Sequence, residues 1–144
     1  MTYKTNTNQN ADIAEQMFKT YVLQKGWIVL EPSSRDSDYD FVIDMNGRFE
    51  RAQVKKMTDH VLPRIVERSN QRTTENGKVR NSVDYAERGI EWLVGVDIDS
   101  GEVYPYQISD YKDKPKQFKV TAYNGTKHPI SAFPVNKDVR KNNE

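Results

Sequence analysis

Between residues 11 and 25, apolar side chains recur at Ala14, Phe18, Tyr21 and Val22. That is the i, i+4, i+7, i+8 spacing of one helix face, and Ile13 and Met17 widen the stripe. Asn10 is the expected N-cap and Gly26 the expected left-handed residue past the end. Residues 27–30 (Trp-Ile-Val-Leu) form a short apolar run suited to a strand, and Glu-Pro-Ser-Ser-Arg at 31–35 has loop chemistry. Apolar and polar positions then alternate on both sides of Asn46-Gly47. A type I′ turn needs φ > 0 at both central residues, and Asn-Gly is its strongest short signal. The pattern therefore predicts a hairpin with strands near 38–45 and 48–57.

Further along, residues 61–68 read as a strand that Pro63 confines to an edge or an irregular position. Asn76-Gly77 is positioned to close a second hairpin into residues 78–80. Residues 83–88 read as a short helix capped by Ser82 and ended by Gly89. Residues 90–98 and 102–108 read as strands joined by Asp99-Ser100-Gly101. Past Ser109 the pattern weakens, with a turn at Asn124-Gly125. Helix, strand, hairpin, more strands, short helix and hairpin together predict an α/β (α+β) domain, with a mixed sheet and the N-terminal helix packed on it. The length fits one domain spanning 1–144. The tails at 1–9 and about 137–144 are expected to be flexible.

The first hairpin also carries chemistry. With a two-residue loop, facing residues have numbers summing to 93, which sets Asp40 opposite Gln53. Facing residues share a side of the sheet, with Cβ atoms about 5 Å apart. Lys55, two residues on, returns to that side. An acid, an amide and an ammonium would converge there, able to hold a divalent cation and a phosphate. The same residues read equally as a polar pair on a solvated face, with Lys55 and Lys56 as edge-strand charges. Glu15, taken alone, is a surface helix residue at the rim of the apolar stripe.

Composition narrows the choice. A hydrophobic content of 35% with 30% charged residues is lean and implies a thin sheet-based core. The net charge of +1 hides segregation. Residues 1–46 hold 4 basic and 7 acidic groups, residues 47–88 hold 10 and 6, residues 89–109 hold 0 and 4, and residues 110–144 hold 8 and 4. Two basic segments in a near-neutral chain suggest a polyanion-binding face, against the plainer alternative of a solvated lysine-rich surface. Cysteine is absent, which excludes disulfides and thiolate metal sites and fits a reducing compartment. No apolar run is long enough to span a membrane. Residues 1–10 are polar and lack a signal-peptide segment, so the cytoplasm is the expected location. His60 and His128 are isolated, and no zinc spacing, phosphate loop or Gly-x-Ser-x-Gly elbow occurs.

Glu15 in the helix, Lys25-Gly26-Trp27 after it, Tyr39-Asp40, and Gln53-Val54-Lys55 together resemble the PD-(D/E)XK nuclease superfamily. The likeness is greatest to the small homing endonucleases encoded in group I introns, which also carry Gln in place of the usual acid and a nearby Gly-Arg-Phe segment. It covers about residues 11–57. Here Ser37 or Asp38 stands where the pattern has Pro, and Gln53 removes one negative charge from the metal site. The resemblance implies a restriction-endonuclease-like core and a Mg²⁺-dependent endodeoxyribonuclease, with Mn²⁺ substituting. It implies Asp40 as main metal ligand, Glu15 as a direct or water-mediated one, and the Val54 carbonyl as a third oxygen. Gln53 would supply an amide oxygen or orient water. Lys55 would stabilise charge at the phosphate or assist the attacking water. Mg²⁺ chemistry agrees, since this hard ion keeps several waters and needs only one or two carboxylates.

The expected partner is double-stranded DNA. Arg48, Arg51, Lys56, Arg64, Arg68, Arg72, Lys78 and Arg80 are candidates for phosphate contact, about half of them in practice. Gln71, Arg72, Thr73 and Asn76 suit major-groove reading, or else belong to a loop without a partner. One site per chain cuts one strand, so cutting both implies a homodimer or homotetramer. Rival readings are a Holliday-junction resolvase or repair nuclease with the same groups, a catalytically inactive DNA-binding module, and an RNA-directed nuclease. The aromatics Trp27, Trp92, Tyr85, Tyr104 and Tyr106 are read as core or interface residues rather than base-stacking platforms.

Overall fold

The structure is a computed structural model that describes residues 6–34, 36–74 and 77–120, with side chains outside 68–81. Helix α1 (Thr7–Gln24) begins before the expected Asn10, because Asn6 and Gln9 form a capping box. The Asn6 side chain accepts from the Gln9 amide at 2.8 Å, and Gln9 Oε1 accepts from the Asn6 amide at 3.0 Å. Part of the expected flexible tail is thus helix. Gly26, at φ +83, ends the helix as anticipated. Ala14, Phe18, Tyr21 and Val22 are all buried.

Strands β1 (Ile28–Leu30), β2 (Phe41–Met45) and β3 (Arg48–Lys56) follow. β2 and β3 pair antiparallel from Met45↔Arg48 to Phe41↔Ala52, the predicted register throughout. Asn46 and Gly47 adopt φ +57 and +97, as the tight turn requires. The region expected as one strand from 61 is two, β4 (Val61–Pro63) and β5 (Ile65–Thr74), with Arg64 between them. β5 pairs with β6 (Gly77–Asp84) as the second hairpin. The helix expected at 83–88 is absent. Val83 pairs with Val66 instead, and turns follow in which the Asp84 carboxylate accepts from the Ala86 amide at 3.0 Å. This long-range pairing outweighs a weak local helix preference. β7 (Trp92–Asp97), β8 (Glu102–Gln107), α2 (Ile108–Tyr111) and β9 (Gln117–Lys119) complete the chain. The turns expected at Asn76-Gly77 and Asn124-Gly125, and the C-terminal tail, lie wholly or partly outside the described residues.

The main sheet has the order β1-β2-β3-β7-β8. β3 and β7 run parallel and the other neighbours antiparallel, so the sheet is mixed, as predicted. β4–β9 and β5–β6 form two-stranded sheets of their own. One core packs α1 on the sheet: Phe18 stacks on Phe41 at 5.8 Å between ring centres, with Ile43, Ala52, Val54, Trp92 and Val94 around them. Fully burying each such large side chain contributes about 1.5–3 kcal/mol. The second core covers the opposite face near β7 and β8, with Leu62, Tyr85, Leu93, Tyr104, Tyr106 and Tyr111. The alternation of β3 divides its side chains between the faces. Ala52 and Val54 go to the helix side, which leaves Gln53 and Lys55 to the other.

Candidate active site

Asp40 lies just outside β2, where the ladder ends. Its amide donates to the Ala52 carbonyl at 2.9 Å, while the last paired residues are Phe41 and Ala52. The expected direct pairing of Asp40 with Gln53 is therefore replaced by an off-register contact. The Asp40 carboxylate reaches across β3 and accepts from the Val54 amide at 2.8 Å. This fixes the acid at the level of the Gln53–Val54 peptide, close to where a direct pairing would have put it. Ser37 orders the approach, since its Oγ donates to the Tyr39 carbonyl at 2.9 Å and accepts from the Tyr39 amide at 3.2 Å.

Glu15 comes from α1. It and Asp40 line one pocket of about 240 Å³, walled by Glu31, Ser34, Ser37 and Tyr39. The Glu15 pKa is raised, first by burial and next by the Asp40 charge. The two carboxylates thus feel one another in a partly desolvated space. Glu15, unremarkable as a lone helix residue, is brought to the acid that the hairpin positions.

Gln53 is the one buried polar or charged residue among those described, 8% exposed. It sits opposite Leu93 on the parallel strand β7. Lys55 carries its ammonium 5.5 Å from the centre of the Tyr85 ring, within cation–π range. Tyr85 is fully buried, and its hydroxyl finds no hydrogen-bond partner among the described residues. Sequence reading placed Tyr85 in the core, correctly, but gave no sign that it underlies Lys55. The two are 30 positions apart, and only the tertiary fold joins them.

Among the described residues, no three His, Asp or Glu side chains are grouped to hold a metal. The donor set is two carboxylates, with backbone oxygen and water to complete it. That set suits a hard, largely hydrated divalent cation, and such a charge would offset the Glu15–Asp40 repulsion. A larger cavity of about 500 Å³ lies between α1 and the β7–β8 turn, lined by Ile13, Met17, Tyr21 and Val103, and does not include these acids.

The basic residues fall into groups. Arg48 is exposed and lies 3.7 Å from Glu50. Lys56 is exposed at the end of β3. Arg51 is bound to Glu91 through Nε and Nη2 at 3.3 Å each. Arg64 is half-buried, paired with Asp84, and donates from Nε to the Lys114 carbonyl at 2.6 Å. It has a structural commitment that sequence reading did not foresee. Arg68, Arg72, Lys78 and Arg80 lie on the β5–β6 hairpin, where Arg80 pairs with Ser69 and Lys78 with Thr73. The register shifts between Ser69 and Thr73, so the segment containing Gln71 and Arg72 is irregular. Arg88, absent from the sequence-based candidates, bonds Asp38 at 3.1 Å.

A family model described as PD-(D/E)XK endonuclease matches residues 5–133. Among solved structures, that of a bacterial homing endonuclease, I-Ssp6803I, is similar to this one with a TM-score of 0.70. The two share 20% identity, over 96% of this chain and 97% of the other. No curated protein matches.

Proposed function

As the chain belongs to the PD-(D/E)XK endonuclease family, we propose that it is a divalent-metal-dependent, sequence-specific DNA endonuclease of the homing type. The observation that carries this reading is the Asp40 carboxylate held on the Val54 amide with Glu15 beside it in one pocket. Asp40 and Glu15 are the carboxylates that would hold Mg²⁺, with the Val54 carbonyl as a further oxygen and Mn²⁺ able to replace it. Such an ion, when bound, acidifies water and offsets negative charge at the phosphate.

The chain's own residues do the rest. Asp40 is fixed by the Val54 amide, so its carboxylate keeps one orientation. Gln53, neutral and buried, presents an amide to orient the attacking water without adding charge. Lys55 brings an ammonium to the phosphate as negative charge builds there, an electrostatic role that needs no deprotonation. Water adds to phosphorus, one P–O ester bond breaks, and the departing oxygen ends up protonated. Each chain carries one such set, so cutting both strands takes a homodimer or a larger even assembly.

The reading is tested by a cleavage screen on randomised duplex DNA with Mg²⁺. Asp40→Ala is expected to lose at least about 100-fold in rate, because the metal's stabilisation of the transition state amounts to several kcal/mol. Wild-type protein that never cuts, with Asp40→Ala binding DNA no differently, would sink it. The neutral Gln53 is the one feature that favours a rival, a DNA-binding module that has lost catalysis. Calorimetry with Mg²⁺ separates the two: the module binds no metal, and Asp40→Ala changes nothing.

A further inference from the structure

The carboxylate pocket has a neighbour. Arg51 and Arg88 line a second pocket of about 340 Å³ that shares Ser34, Ser37 and Tyr39 with the first. Both guanidinium side chains are accessible, at 42% and 53% exposure. Each is held in place by a carboxylate, Arg51 by Glu91 and Arg88 by Asp38. Gly89 makes room for the first: a Cβ there would lie 2.9 Å from Arg51 Nη2. The Arg51 guanidinium thus lies against the backbone next to Arg88, and the paired acids offset the repulsion between the two cations.

A guanidinium has five N–H donors. Arg51 uses Nε and Nη2 on Glu91, and Arg88 uses Nη1 on Asp38. Among the described residues, this leaves Arg51 Nη1 and Arg88 Nε and Nη2 for a further acceptor. Asp36 and Asp38 also line the pocket. Their charge disfavours a small free anion, so the acceptor is one that a larger ligand delivers.

We propose that this pocket is a phosphodiester subsite. It would take a phosphate of the DNA strand near the one that enters the Glu15–Asp40 pocket, with Arg88 supplying the planar fork. The inference rests on the endonuclease reading and adds a residue to it. Arginine suits the role because its fork matches two phosphate oxygens at once. Ser34, Ser37 and Tyr39, wall to both pockets, would then set the spacing between the two phosphates.

The test measures binding of a short random-sequence duplex without divalent metal, so that cleavage plays no part. The logarithm of affinity falls linearly with the logarithm of salt, with a slope of about 0.9 per phosphate contact in duplex DNA. Arg88→Gln is expected to flatten that slope by about one contact. Asp38→Asn frees the guanidinium while keeping its charge, and is expected to leave the slope at the wild-type value or above. A wild-type slope in Arg88→Gln overturns the proposal. So does a slope in Asp38→Asn that matches Arg88→Gln, since Arg88 would then be only a strut for the loop. Loss of the contact in a protein that cuts no DNA counts against the endonuclease reading and leaves the phosphate subsite standing.

Discussion

Glu15 shows how a single side chain is altered by the company it keeps. Burial and the neighbouring Asp40 raise its pKa above the ordinary 4.5. A group whose folded-state pKa is raised stabilises the fold fully below its unfolded value. That contribution is lost as pH rises through the folded value. Once ionised, and without metal, Glu15 therefore strains the fold. Glu15→Gln is expected to melt at a higher temperature than wild type in chelator at neutral pH, with the gap closing as pH falls toward 4.5. Added Mg²⁺ should raise the melting temperature of wild type and not of the variant. A thermal melt across pH, with and without metal, checks both. Residue spacing alone does not show this coupling, although the family resemblance put both acids at one metal, because it depends on α1 packing against the start of β2, where Phe18 stacks on Phe41. That one hairpin would carry Asp40, Gln53 and Lys55 was legible from the Asn-Gly step, whereas the bond from the Val54 amide to Asp40 was not. Arg88 was not, as its partner Asp38 is 50 positions away.

At the scale of elements, local chemistry was readable where it fixes backbone geometry. Asn46-Gly47 set the hairpin register, and Gly26 set the end of α1. Two glycines test the difference between backbone and packing. Gly47 has φ +97 with open space around it, so Gly47→Ala costs only backbone strain, about 1–2 kcal/mol. A Cβ on Gly95 would meet Met57 Sδ at 2.7 Å and Leu62 Cδ1 at 3.4 Å. Gly95→Ala therefore crowds the second core, and because the Met57 side chain can turn aside its cost should sit near the low end of overpacking, about 1 kcal/mol. Denaturant unfolding is expected to show both losses, and nuclease activity per folded molecule should survive Gly95→Ala. The segment at 83–88 was misread because Ser-Val-Asp suits a helix start as well as a strand end. Only the partner strand β5 decides between them.

For the whole molecule, the sheet is covered on both faces where β3, β7 and β8 lie. Toward β1 and the β2–β3 turn it is not: Ile28 of β1 is 55% exposed and Phe49, at the turn end of β3, 59%. The mixed sheet and the helix on it were foreseeable from the order of elements. The β4–β9 sheet was not, since β9 is short and its partner β4 lies far back in the chain. One site per chain has a kinetic consequence. If the active form assembles from copies, diluted protein should accumulate nicked duplex, and concentrated protein should cut both strands with a steeper than linear dependence on concentration. Strictly linear double-strand cutting over a wide range would contradict assembly on that scale.

The junction of β3 with β7 bears on how this protein is made. Arg51 and Glu91, at the entrance to that junction, are 40 residues apart in sequence. Everything from β4 to the end of β6 must emerge from the ribosome before the lysine-bearing strand gains its inner neighbour. Closing so long a loop is slow compared with folding a hairpin. The proposed catalytic groups are thus all translated early but braced late, so a truncated or stalled nascent chain would hold each of these side chains without the support that aligns them.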